Sequence, residues 1–210
     1  MTEFFLNNKK VKAKDDETIW TVAKREGIVL PHLCFADKPG YRADGNCRAC
    51  MVSIEGERVL AASCIRKPTE GMKVVTNDER STKSRKMVLE LLVTDQPDRE
   101  TSHDPDSHFW NVASSVDVAK SRFDKREKTI VPCEDASHVA MSVNLDACIH
   151  CNLCVRACRE VQVNDVIGMG NRGHHSKVIF DFNDPMGDSS CVSCGECVQA
   201  CPTGALMESN

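Results

Sequence analysis

Aromatic residues are scarce in this chain of 210 residues, 5 % in all with a single tyrosine, so a large aromatic core is excluded and something else must organise the interior. No apolar run approaches the roughly 20 residues that span a bilayer. The segment Met1-Thr-Glu-Phe-Phe-Leu-Asn-Asn-Lys-Lys10 has neither the long apolar stretch nor the cleavage site of a secretory leader. A cytoplasmic location is therefore expected. Net charge is −4 and the pI is near 6.0, which lacks the basic footprint of a nucleic-acid binder. Lys9-Lys10 and the Lys83 to Lys86 stretch are short and interleaved with polar residues, as solvated faces or docking surfaces are. No Ser-His-Asp set, paired catalytic carboxylates or phosphate loop stands out, so no catalytic residue is assigned. Gly168-Met-Gly170-Asn-Arg-Gly173 matches G-x-G-x-x-G, but a dinucleotide site needs a helix after the glycines. Here His174-His175-Ser-Lys-Val-Ile-Phe-Asp-Phe182 follows and reads as a strand, so a hairpin is the better account.

What the chain has in quantity is cysteine, thirteen in all. Eight fall in two near-identical runs, Cys148-x2-Cys151-x2-Cys154-x3-Cys158 and Cys191-x2-Cys194-x2-Cys197-x3-Cys201, the second followed by Pro202. That spacing suits a bacterial-type pair of [4Fe–4S] clusters, in which three thiolates of one run hold a cubane and the fourth reaches across to the other. Cys148, Cys151, Cys154 and Cys201 are thus expected around one cluster, and Cys191, Cys194, Cys197 and Cys158 around its partner. Structural zinc usually takes two CxxC pairs separated by a longer loop, a poor fit here. Disulfides fit worse, because the count is odd and a reducing compartment keeps thiols free.

Upstream, Cys34-x12-Cys47-x2-Cys50-x13-Cys64 offers four ligands for one [2Fe–2S] cluster. The plant-type spacing has four residues between the first two ligands, whereas here Lys38-Pro-Gly-Tyr-Arg-Ala-Asp-Gly-Asn46 lies within a longer loop. Glycines at 40 and 45 would let the backbone wrap closely around an inorganic core. Asp44, Asn46 and Arg48 beside Cys47 argue against a merely buried cysteine core.

The surroundings predict a scaffold. Glu3–Leu6 and Lys10–Ala13 read as strands joined at Asn7-Asn8. Thr18 can cap a helix through Trp20 that ends at Gly27. Cys50–Ile54 and Arg58–Ala61 form a second hairpin, and Lys73–Thr76 a further strand. Two hairpins enclosing a helix suggest a β-grasp. Residues 79 to 94 predict an amphipathic helix, and Trp110 and Val112 mark a short packed one. The expected architecture is α+β: a [2Fe–2S] domain over 1–78, a helical bridging segment over 79–137, and a 2[4Fe–4S] domain over 138–210. The last could not build a large core alone, so metal must supply much of its folding free energy.

Four stretches carry a family resemblance: Pro39-Gly-Tyr-Arg-Ala-Asp-Gly-Asn-Cys-Arg-Ala-Cys50, Ala61-Ala-Ser-Cys-Ile-Arg-Lys-Pro68, Cys154-Val-Arg-Ala-Cys-Arg-Glu-Val-Gln-Val-Asn-Asp-Val-Ile-Gly168, and Cys194-Gly-Glu-Cys-Val-Gln-Ala-Cys-Pro-Thr-Gly-Ala-Leu206. Together they resemble the N-terminal iron–sulfur region of the molybdenum- or tungsten-containing subunit of soluble NAD-dependent formate dehydrogenases. The same module recurs in the large iron–sulfur subunit of complex I, in iron-only hydrogenases and in the small diaphorase subunit of NAD-reducing hydrogenases. The resemblance implies an electron-transfer subunit without a catalytic site of its own. Its implied partners in a hetero-oligomer are a flavin/NAD-binding subunit and a molybdopterin catalytic subunit acting on formate. A hydrogenase diaphorase subunit and an independent ferredoxin-type carrier are the alternatives, with a zinc-stabilised scaffold more distant.

Two departures qualify that likeness. The family usually has a His-x3-Cys-x2-Cys-x5-Cys site after the first domain, but no cysteine occurs between Cys64 and Cys133. Three clusters are expected, not four, with His103 and His108 as surface or capping residues and Cys133 as a free thiol. The chain also ends at Asn210 without the molybdopterin-binding portion, which suggests a separately encoded subunit.

Overall fold

The computed structural model describes residues 1–125 and 134–209, so Cys133 lies outside the described residues. These residues gather into two compact units: Met1–Phe35, Ala43–Leu91 and Val112–Lys120 form the first, and Ala36–Arg42, Leu92–Asn111 and Ser121–Asn210 the second. Among the described residues no helix is long and apolar enough to cross a membrane.

The first unit opens with β1 (Thr2–Leu6) and β2 (Lys9–Ala13), paired antiparallel with Phe4 opposite Val11. Alternation turns Phe4, Leu6, Val11 and Ala13 inward. Asn7 and Asn8 make the turn at φ 48° and 67°, the left-handed geometry a two-residue hairpin needs and asparagine tolerates. Asn7 also bonds Thr76 twice, through its own Nδ2 and from the Thr76 amide, both at 2.8 Å. α1 (Ile19–Arg25) starts at Thr18, whose hydroxyl accepts from the Thr21 amide. It buries Ile19, Trp20, Val22 and Ala23 against the sheet. β3 (Met51–Ile54), β4 (Ala61–Ala62) and β5 (Lys73–Val75) complete a five-stranded sheet in the order β2-β1-β5-β3-β4. β1 and β5 run parallel at its centre, and every other pair is antiparallel. A mixed sheet with one helix across it is the β-grasp. β4 is shorter than the expected Arg58–Ala61 strand, and the Arg58 carbonyl accepts from the Arg80 guanidinium at 2.7 Å.

α2 (Glu79–Asp95) follows. Asp78 accepts from the Ser81 amide and the Ser53 hydroxyl at its start. Burial pushes that carboxyl up, but the hydrogen bonds outweigh burial and hold it below the usual carboxylate range. One turn on, the buried Arg85 donates to the Met51 carbonyl at 2.8 Å and the Thr76 carbonyl at 2.7 Å. It satisfies the backbone at the ends of β3 and β5, where the sheet offers no partner.

The second unit is built from short elements. Of α3 (His108–Ser115), residues 108–111 belong to it, and the Phe109 amide bonds the Pro202 carbonyl at 2.7 Å. β6 (Met141–Val143) pairs with β9 (Leu206–Glu208), Ser142 opposite Met207. α4 (Leu153–Arg156) widens into a π-turn at Ala157–Val161. β7 (Ile167–Gly170) and β8 (Lys177–Phe180) form the expected antiparallel hairpin, with Gly168 and Gly170 inside β7 and only Gly173 in the connection, and α5 (Glu196–Ala200) lies in the second cysteine run. The buried Gln96 donates to the Ala147 carbonyl at 3.0 Å. Residues 92–111 are therefore packed structure of this unit.

Arg85→Leu strips the Met51 carbonyl of this donor and leaves the Thr76 carbonyl only the Ser81 hydroxyl at 3.4 Å, a loss of about 1–3 kcal/mol. We expect a clear fall in the thermal midpoint of the first unit, followed through its own visible absorbance, with Arg85→Lys intermediate. An unchanged midpoint would remove Arg85 from the stability of the sheet.

Candidate metal centres

In the first unit the four upstream cysteines come together. The Cys47 and Cys64 thiols hydrogen-bond Cys34, and Cys64 also bonds Cys50. The Cys47 amide adds a donor to Cys34 Sγ at 3.3 Å. These contacts hold the Cys34 and Cys50 thiols below their ordinary range, while Cys47 and Cys64, which donate, are pushed up. Cys34, Cys50 and Cys64 are buried and Cys47 is half-buried. Strand β3 starts immediately after Cys50, and the Ser63 hydroxyl fixes the Cys50 carbonyl at 2.7 Å. The sheet thereby sets two of the four positions. Gly45 is left-handed (φ 66°), and a Cβ there would meet Ile65 at 2.9 Å. The close approach expected of Gly45 is made to the residue after Cys64.

Gly40 serves elsewhere. Residues 36–42 of the long loop belong to the second unit. There Gly40 lies against Val161, the Tyr41 hydroxyl donates to Glu196 at 2.8 Å, and Arg42 pairs with Glu160 at 3.0 Å. Burial, and then Glu196, push the Tyr41 phenol above its ordinary range, so it stays protonated as the donor. The Arg42 carbonyl accepts from Arg156, which is 2 % exposed and also donates to the Cys151 carbonyl at 3.2 Å. The spacing gave no sign that these seven residues serve the other unit.

The two cysteine runs of the second unit fold alike. His150 and Ser193 are left-handed at equivalent places, and so are Asn152 and Gly195. The His150 amide points at Cys148 Sγ and the Ser193 amide at Cys191 Sγ, each at 3.4 Å. One cavity of about 370 Å³ is walled by Cys148, Cys151, Cys154 and Cys201 among its lining residues. A second of about 310 Å³ is walled by Cys158, Cys191, Cys194 and Cys197. Each cavity thus draws three sulfurs from one run and one from the other. Among the described residues no three His, Cys, Asp or Glu side chains close on a single ion. The sulfurs stand around space, as the corners of a polynuclear group require.

Burial pushes the Cys148 thiol up to about 11 and Cys197 to about 12, and raises Cys154 well above its ordinary value, with the neighbouring cysteines adding to each. Four sulfurs this close cannot all become thiolates without a compensating cation. Soft sulfur donors with amide N–H groups aimed at them suit an iron–sulfur cluster. The residues present therefore fit the group.

His103 and His108 part company. His108 is exposed at the start of α3. His103 is a packed tie: its Nδ1 meets the Gly204 carbonyl at 3.1 Å, and its Nε2 lies 3.4 Å from the Ser142 hydroxyl. Gly204 is left-handed (φ 72°), and a Cβ there would meet Asp104 at 2.4 Å. Residues 103 and 104 thus pack directly onto the chain after Cys201.

Residues 1–79 match the family described as a 2Fe–2S iron–sulfur cluster binding domain, and residues 147–205 a 4Fe–4S dicluster domain. The chain is 31 % identical, over 99 % of its length and 36 % of the relative's, to the NADP-reducing hydrogenase subunit HndD of Solidesulfovibrio fructosivorans. It is 28 % identical to an NADH-quinone oxidoreductase subunit of Rhizobium meliloti, over 99 % of this chain and 24 % of that one. A Staphylococcus haemolyticus protein named for formate dehydrogenase is 28 % identical over 89 % of this chain and 19 % of its own. The chain therefore spans little more than a third of these relatives at most. In a solved structure of an NAD+-reducing [NiFe]-hydrogenase in the H2-reduced state, one chain superposes with a TM-score of 0.87 at 27 % identity, covering 99 % of this chain and 87 % of that one. A thiol quartet in a β-grasp, paired thiol-lined cavities and these relatives agree: the chain is an iron–sulfur protein joining a 2Fe–2S cluster-binding domain to a 4Fe–4S dicluster domain, similar along nearly its whole length to part of each of these relatives.

Proposed function

We propose that this chain is an electron-transfer subunit that links a flavin module using NAD(H) to a separate catalytic subunit in a cytoplasmic hetero-oligomer. The reading rests on one observation above the rest: three groups of four cysteines, two of them ringing cavities and each fed by both runs. Cys34, Cys47, Cys50 and Cys64 would hold the [2Fe–2S] cluster. Cys148, Cys151, Cys154 and Cys201 would hold one [4Fe–4S] cluster, and Cys191, Cys194, Cys197 and Cys158 the other. Such clusters supply one-electron redox chemistry when bound. The chain's own part is to hold the sulfurs, bury most of them and aim amide donors at them.

For the catalytic end, the sequence likeness favours a molybdenum- or tungsten-dependent formate dehydrogenase. The small diaphorase subunit of an NAD-reducing nickel–iron hydrogenase is the second reading, supported by the likeness to a chain of such an enzyme along nearly its whole length. Metal analysis of the native complex separates them: molybdenum or tungsten supports the first, nickel the second.

Iron and sulfide analysis of the loaded chain should give about ten irons, two in the [2Fe–2S] and four in each cubane. Cys201→Ala should then remove the cubane of Cys148, Cys151 and Cys154 and weaken the second unit, since metal binding and folding are linked there. The [2Fe–2S] EPR signal should persist. Loss of that signal alone, with both cubanes intact, would overturn the assignment.

In the assembled complex, Cys47→Ser should block NAD-linked turnover and spare turnover with an artificial dye that takes electrons from the catalytic subunit. NAD-linked activity that survives this change would make the [2Fe–2S] centre a side branch.

A further inference from the structure

Between the two cysteine runs the backbone makes a costly passage. After the π-turn, Val163 and Asp165 are both left-handed, at φ 57° and 55°. For a β-branched valine that conformation is an outlier, and such strain persists only where the surroundings over-determine it. The Arg159 guanidinium pairs with the Asp165 carboxylate across the turn and clamps it. The passage aims three groups. The Asn164 amide donates to the Cys158 carbonyl at 2.9 Å, and the Val166 amide to Cys158 Sγ at 3.4 Å. The Asn164 side-chain Nδ2 lies 4.0 Å from Cys194 Sγ, in the wall of the second cavity.

Cys194 is the exposed thiol among the candidate ligands of this unit, whereas Cys151, its counterpart in the first run, is buried. An exposed ligand is open to water, and a side chain over it decides what that sulfur meets. The carboxamide has two donors on nitrogen and an acceptor oxygen. Only the nitrogen end suits a thiolate, since the oxygen would set negative against negative. At the other run's end the chemistry differs: the neighbour of Cys201 Sγ is the buried Thr203 hydroxyl at 3.6 Å.

We propose that Asn164 is a positioning residue that tunes the second cubane, its side-chain amide donating to the Cys194 thiolate and raising that cubane's midpoint potential. The proposal rests on the ligand assignment given above. A donor on a cluster sulfur withdraws charge and so favours the reduced, more negative state. The strained turn of Val163 and Asp165 holds the donor in place, so the tuning is built into the backbone.

The test is an EPR-monitored redox titration of the loaded chain and of two variants. Asn164→Asp keeps the shape, removes the donor and adds negative charge. Asn164→Gln keeps the donor. We expect Asn164→Asp to move one cubane midpoint to more negative potential, leaving the other cubane and the [2Fe–2S] centre in place, and Asn164→Gln to stay much closer to the parent. Midpoints unmoved in Asn164→Asp with full cluster content would overturn the proposal while leaving the ligand assignment intact. So would equal shifts in both variants, or equal loss of the cluster from both, since a purely structural turn residue would give either. A parent chain with only one cubane signal would overturn the assignment itself, and the proposal with it.

Discussion

Crowding sulfur into small buried spaces is the constraint on which this chain depends. A thiolate without a cation is unfavourable in such a space, and several together are more so. Burial and neighbouring sulfur push Cys148, Cys154 and Cys197 toward the neutral thiol. The second unit packs Phe109, Met141, Leu153, Phe180, Met186 and Leu206 around that sulfur on short elements. Its strands are three or four residues long, and α4 and α5 are single turns. An inorganic core supplies in few atoms what apolar side chains supply in larger domains, in keeping with 5 % aromatics. The first unit differs, because its sheet and α1 bury Phe4, Leu6, Ile19, Val52 and Val74 without reference to any metal.

Much of this was legible in the sequence where the signal is local. Cysteine spacing follows from the size of a cluster, and the cavities collect the sulfurs three from one run and one from the other. The Asn7-Asn8 hairpin, the Thr18 cap and the glycine hairpin after Val166 were readable because turn and cap chemistry is written in adjacent residues. The β-grasp followed from the order of those pieces.

The rest was hidden for physical reasons. β6 and β9 have three residues each and lie far apart in the chain, too short for a periodic pattern to register. The use of Gly40, Tyr41 and Arg42 by the second unit depends on Glu196, Glu160 and Arg156, which nothing in the loop announces. His103 read as a surface or capping group, yet its role is set by a glycine carbonyl 101 positions later. Asn164 stood in the stretch from Cys154 to Gly168 that carries the family resemblance, with nothing local to single out its side chain.

Folding of the second unit depends on sulfur-bound metal at its centre. Hydrogen exchange on the anaerobic chain, loaded and then stripped of iron by a chelator, tests it most directly. Stripping should abolish protection of the Val143, Cys201 and Val166 amides, which bond within this unit, while the amides pairing β1 with β2 stay protected. Equal protection of the second unit with and without iron would contradict the account.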